Sequence, residues 1–183
     1  MDRCARVCLV AAIAFAVVGC GSTDKAAPPG SGSSSTAPTD SGCRAGDLHA
    51  TLGQGGGAAG SVIFPLIFTN TGSKTCVLDG FPGVSYVNEP HGDPVGPAAD
   101  RTGDTPEPVR LAPGGQASAL LRAVNVQNYP EDICGPTPVK GLRVYPPNDV
   151  NSLFIAYPAT ACSKTGPNIH QLTVGPVTPG ARA

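Results

Sequence analysis

Tryptophan is absent from this 183-residue chain, and aromatic residues make up only 5% of it. A carbohydrate platform of stacked rings would have to come from the four tyrosines, Tyr86, Tyr129, Tyr145 and Tyr157, and only if two or three of them gathered on one face. Charge is sparse too, with 12 Lys+Arg against 13 Asp+Glu and a net charge of −1. The basic residues are scattered singly, which argues against the clustered basic face of a nucleic-acid binder. No stretch from Cys43 onward repeats apolar residues at i, i+3, i+4 and i+7 for long enough to predict a helix. Catalytic signatures are also missing: there is no G-x-S-x-G, no H-E-x-x-H and no C-x-x-C pair of the kind that opens a zinc site. The sequence therefore predicts no catalytic residue, no metal and no cofactor.

What the chain has in quantity is glycine, 24 residues, and proline, 20. Both break regular helices and favour turns between short strands, so the reading is all-β.

The first residues differ from the rest. Arg3 and Arg6 supply positive charge, and Val7 to Gly19 is uncharged and apolar, as in the n- and h-regions of a secretory signal. That run is shorter than the roughly 20 residues that cross a bilayer. Its end, Val17-Val18-Gly19-Cys20, resembles the lipobox of bacterial lipoproteins. The resemblance implies cleavage after Gly19 and a diacylglyceryl thioether on Cys20, with Cys4 and Cys8 lost with the signal. A single acyl chain holds only marginally, at about 0.8 kcal/mol per buried methylene, so two or three chains would anchor the protein firmly. The expected location is the extracytoplasmic face of the cell membrane.

Residues 21–42 are small, polar and rich in Gly, Pro, Ser and Thr, and offer nothing to offset the entropy of ordering. They read as a tether with a reach on the order of 25 Å. The expected layout is thus a signal peptide at 1–19, lipidated Cys20 with a flexible tether to residue 42, one folded domain at 43–177, and a disordered tail at 178–183.

Four cysteines lie beyond the tether, Cys43, Cys76, Cys134 and Cys162. In an exported protein they are expected to oxidise. Three pairings exist; Cys43 with Cys76 and Cys134 with Cys162 is favoured, because each pair brackets one compact run. Each closed loop would contribute about 3.5 kcal/mol in the chain-entropy account.

Strand signals come in short runs separated by turn formers. Leu48, Ala50 and Leu52 alternate with polar residues, as do Val62, Phe64, Leu66 and Phe68 with a second apolar set, Ile63, Pro65 and Ile67. Pro65 lacks a ladder donor, which predicts an edge strand or a bulge there. Further strands are expected at 84–88, 109–111, 117–124, 142–145, 153–157 and 169–174. The expected fold is an immunoglobulin-like antiparallel β-sandwich with two disulfides.

Three stretches carry a family resemblance: Phe68-Thr69-Asn70-Thr71-Gly72-Ser73-Lys74-Thr75-Cys76, Leu78-Asp79-Gly80-Phe81-Pro82-Gly83-Val84 and Leu111-Ala112-Pro113-Gly114-Gly115-Gln116-Ala117. In this order they resemble the DUF4232 family of actinobacterial secreted proteins and lipoproteins, over roughly Cys43 to Val174. Cys134 and Cys162 are similar to that family's second cysteine pair. The family is named for its unknown function, so the resemblance implies fold and compartment and no activity.

Other motifs read as structure. Gly55 to Gly60 satisfies G-x-G-x-x-G, but a strand pattern follows it where a phosphate-binding helix would be needed, which predicts a hairpin loop. Glu89, His91 and Asp93 stand at alternate positions, yet Pro90, Gly92 and Pro94 break the strand that would align them. Glu131-Asp132 reads as surface charge, and His49 and His170 as surface or edge residues on strands. The function expected is a non-enzymatic module, held at the membrane by its lipid, that binds a protein or glycan of the cell envelope and no nucleic acid. The alternative is an envelope hydrolase or metal-handling protein using the loop around His91 with Asp93, Asp100 or Asp104.

Overall fold

A computed structural model describes residues 40–182. The signal segment, Cys20 and nearly all of the tether lie outside the described residues. No helix among the described residues is long and apolar enough to cross a membrane.

Among the described residues, twelve strands are arranged in three sheets. They are β1 (Leu48–Leu52), β2 (Gly56–Ala58), β3 (Ser61–Asn70), β4 (Cys76–Leu78), β5 (Gly83–Val87), β6 (Asp100–Arg101), β7 (Val109–Leu111), β8 (Gln116–Val124), β9 (Pro136–Tyr145), β10 (Leu153–Cys162), β11 (Leu172–Val174) and β12 (Thr178–Pro179). The large sheet runs β1-β3-β8-β11-β6, with β2 alongside β3 and β12 alongside β8. The second sheet is β10-β9-β5, and β4 pairs with β7 as a separate ribbon. Every pairing between named strands is antiparallel except that of β11 with β6.

The inward residues of the sheets meet in one core. Leu66 and Phe68 of β3, Ala119 and Leu121 of β8, Val84 of β5, Leu142 and Val144 of β9 and Leu78 of β4 all belong to the same buried cluster. Period-2 alternation puts these side chains on one face of each strand, and their burial is the main force holding the layers together. Alanine dominates the inner face of β8, where Ala117 and Ala119 lie opposite Phe68 and Leu66. Small residues facing large ones let the layer interdigitate without voids.

Pro65 departs from the expectation. β3 is central, flanked by β1 on one side and β8 on the other, and it runs without a bulge from Ser61 to Thr69 against β8. The Pro65 carbonyl accepts from the Gly53 N–H at 2.8 Å, so its nitrogen faces the same side. That side is where β1 has ended at Leu52 and β2 has yet to begin at Gly56. The missing donor therefore falls in a gap between two strands that share one edge of β3. A Cβ on Gly53 would lie 2.5 Å from the Pro65 ring, so the crossing chain needs glycine there.

Two further expectations differ. β9 starts at Pro136, before the expected 142; its first half has only β10 beside it, since β5 covers Gly141 to Tyr145. Prolines 136 and 138 are tolerated where one side of the strand is open. Residues 178–182, expected as part of a disordered tail, lie along β8: Thr178 pairs with Ser118, the Gly180 N–H donates to Gln116 O at 3.0 Å, and Ser118 Oγ donates to Gly180 O at 2.8 Å.

Two disulfides join Cys43 to Cys76 and Cys134 to Cys162, with Cα–Cα separations of 4.8 and 4.5 Å. The second lies in a small cluster of its own with Val126 and Ile169, against which Tyr129 packs. It fastens a four-residue helix, α1 (Glu131–Cys134), to the end of β10.

Candidate neutral cavity between the sheets

The glycine run that mimics a nucleotide loop is a β-hairpin. Ala59 and Gly60, both at positive φ (22° and 76°), turn β2 back onto β3, the pattern of a two-residue hairpin loop. Strand β3 follows where a phosphate-binding motif would require a helix. Gly60 O is held by the Asn125 N–H at 2.9 Å and by Asn128 Nδ2 at 2.8 Å, which fixes the hairpin against the segment after β8.

Beside this hairpin lies a solvent-open cavity of about 570 Å³. The hairpin and the Val124–Gln127 segment form one side, and β5 and β10 contribute Tyr86, Tyr157, Ala159 and Thr160. Tyr86 points inward on β5 and is 3% exposed. Tyr157 lies where the β9–β10 register shifts between Ala156 and Ala159, giving β10 one extra residue. Such bulges re-aim side chains beside sites, and here Tyr157 meets Phe64 edge to face at 5.3 Å between centroids.

Burial, and then the nearby Tyr157 hydroxyl, push the Tyr86 pKa well above the usual phenol value; burial alone raises that of Tyr157. No hydrogen bond contributes to either shift. Apart from these two phenols, none of the described residues that line it is ionisable. Neither phenol changes charge near neutrality, so the cavity can bind, donate and accept hydrogen bonds, but has no group to shuttle protons there.

The other tyrosines do not join this site. Tyr129 packs on the second disulfide cluster, and Tyr145 lies under the Arg143 guanidinium at 5.6 Å. Sequence reasoning named all four tyrosines, but could not find the pairing of Tyr86 with Tyr157, because the bulge that places Tyr157 has no local signature.

The remaining candidates are dispersed. His91 sits in an exposed turn closed by the Gly92 N–H on Glu89 O, 3.1 Å. Asp100 pairs with His170, whose Nδ1 is 2.6 Å from the carboxylate, and Asp104 lies beside Pro176 in a different depression. Glu131 and Asp132 occupy the exposed first turn of α1, and His49 is exposed on β1. Among the described residues, no three of His, Cys, Asp and Glu gather to hold a metal ion.

The turn motifs that carry the sequence resemblance are held by buried side chains. Asn70 is 1% exposed; its Nδ2 donates to Lys74 O at 2.8 Å and Leu111 O at 2.9 Å, and its Oδ1 accepts the Gly72 N–H at 2.9 Å. Its backbone is held by Gly114 and Gly115, so one side chain joins the N-T-G-S turn to the L-A-P-G-G turn. Gln171, also 1% exposed, performs the same task elsewhere: Oε1 accepts the Cys162 N–H at 2.8 Å and Nε2 donates to Val95 O at 3.0 Å.

The described residues thus define a disulfide-bonded, all-β domain with a neutral cavity between its layers. The chain belongs to the family described as a domain of unknown function (DUF4232), which matches residues 43–178. No curated protein and no solved structure matches it.

Proposed function

We propose that this protein is a cell-envelope lipoprotein, attached to the membrane through Cys20, whose domain is a non-enzymatic binding module that receives its ligand in the Tyr86–Tyr157 cavity. The observation that carries the binding reading is the cavity's lining: two phenols without hydrogen-bond partners among the described residues, and no carboxylate, imidazole, amine or thiol. The anchor rests on the lipobox-like Val17-Val18-Gly19-Cys20 and on the tether that follows it. The hydrolase or metal-handling alternative draws no support from the His91 loop, because Asp100 and Asp104 lie apart from it in other contacts.

The test places a photo-crosslinking residue at Val62, on the cavity wall and 37% exposed, and in a second strain at Val150, 87% exposed and away from the cavity. Crosslinking on intact cells should yield an adduct from Val62 that Val150 does not give. The same adducts from both positions, or none from Val62, would defeat the cavity reading. The intact mass of the native product tests the anchor: a chain beginning at Cys20 and carrying acyl groups is expected, and a product retaining Met1 or lacking fatty acid would remove it.

A further inference from the structure

We infer that the cavity binds a neutral saccharide, with the hydroxyls of Tyr86 and Tyr157 and the open backbone of Gly57 as its hydrogen-bonding groups. This rests on the cavity being the binding site.

A wholly apolar ligand would strand both phenol hydroxyls, and an unpaired buried hydroxyl costs about 1–3 kcal/mol. An ionic ligand would find no opposite charge among the described residues, because none of those that line the cavity carries one near neutrality. A sugar hydroxyl both donates and accepts, as a phenol does, so each can satisfy the other.

Gly57 adds a main-chain donor and acceptor. Ala58 pairs with Ser61 across the two-residue turn, and Gly57 faces Val62. Antiparallel pairs alternate between hydrogen-bonded and non-bonded, so Gly57 N–H and C=O point away from β3. No other named strand pairs with β2, and Gly57 lies on the cavity wall. The strand has only three residues, Gly56–Ala58, too short an edge for an extended peptide to add a strand. The half-buried Tyr157 ring offers an apolar surface for the C–H face of a sugar.

The experiment uses the full-length protein, extracted in a detergent without a sugar head group. Maltotriose, chitotriose and mannotriose serve as neutral probes, trigalacturonic acid as the charged one and indole as the apolar one. With no tryptophan in the chain, intrinsic emission reports tyrosine alone when a non-fluorescent sugar is added; indole emits itself, so its binding is read by calorimetry. At least one neutral trisaccharide should saturate the signal, and trigalacturonic acid should bind more weakly or not at all. Tyr157→Phe and Tyr86→Phe should each weaken sugar binding about tenfold, the loss expected for one hydrogen bond. Tyr145→Phe, outside the cavity, should leave binding unchanged, and melting curves confirm that each variant is folded.

No response to any neutral trisaccharide, or affinity unchanged in both cavity variants, overturns the saccharide. Indole binding that is lost in the cavity variants, with no sugar bound, overturns the saccharide and leaves the cavity reading standing. No probe bound, together with no Val62-specific adduct on cells, overturns both.

Discussion

The side-chain amide of Asn70 donates to the carbonyl of Leu111, 41 positions further along the chain, at 2.9 Å. Through this contact, with its bonds to Lys74 and Gly72, one buried residue fixes two turns whose own sequences are mostly Gly, Pro, Ser and Thr.

Asn70→Ala should therefore destabilise the domain by about 2–4 kcal/mol, since it leaves buried backbone groups without partners. Urea denaturation followed by far-UV circular dichroism measures it. A loss under about 0.5 kcal/mol, the range of ordinary surface changes, would show that water replaces these bonds freely.

Gly96 and Gly114 form a matched pair. Both have positive φ, 69° and 77°. A Cβ on Gly96 would fall 2.0 Å from Cys162 O, whereas one on Gly114 meets nothing within 4 Å. Gly114→Ala should cost about 1–2 kcal/mol, from backbone conformation alone. Gly96→Ala should cost several times as much or prevent folding, as read from soluble yield and melting temperature.

His170 should titrate above the 6.5 usual for histidine, because its bond to Asp100 and that carboxylate's charge favour the protonated ring, with Pro167 O assisting. The folded-state pKa is raised, so the stabilisation is complete below pH 6.5 and fades as pH rises through the folded-state midpoint. Both side chains are exposed, 62% and 50%, so salt should weaken the effect. NMR titration of the imidazole should give a midpoint that falls in Asp100→Asn; an unchanged midpoint would refute the pairing.

Replacing Cys134 and Cys162 together by Ala should cost about 3–4 kcal/mol, from the closed loop between them. Their separation of 28 residues runs from the last residue of α1 through all of β9 and β10. Protease digestion under native conditions should then cut first near Tyr129 or Ile169, which lose their packing partner. Cleavage elsewhere first would show that the small cluster holds without the bond.

The sequence revealed the strands whose alternation is complete and whose ends carry turn formers. Leu66 and Phe68 are buried as their spacing predicts, and Val109–Leu111 is a strand with the expected bounds. Four short strands, β2, β4, β6 and β12, went unpredicted, because two or three residues display a period weakly; Val109–Leu111, equally short, was legible because its apolar–polar–apolar order runs straight into the Pro113-Gly114-Gly115 turn. Pro65 misled, since its tolerance depends on a gap in the neighbouring chain that no local pattern records. Gln171 was invisible for a similar reason: its partners, Val95 and Cys162, belong to segments distant in the chain. Of the cavity, the tyrosines and the glycine hairpin could be seen as parts, while their assembly depends on the bulge at Tyr157.

Cys43 stands at the entrance to the domain, 2% exposed, bonded to Cys76 at the start of β4, with its N–H on Val77 O at 2.9 Å. Tension applied through the preceding chain would thus pass across a covalent link into the β4–β7 ribbon before it could peel β1 from β3. Under mechanical load the domain should resist unravelling from that end until the sulfur bridge is reduced, which makes its strength under pulling a property of the redox state around it.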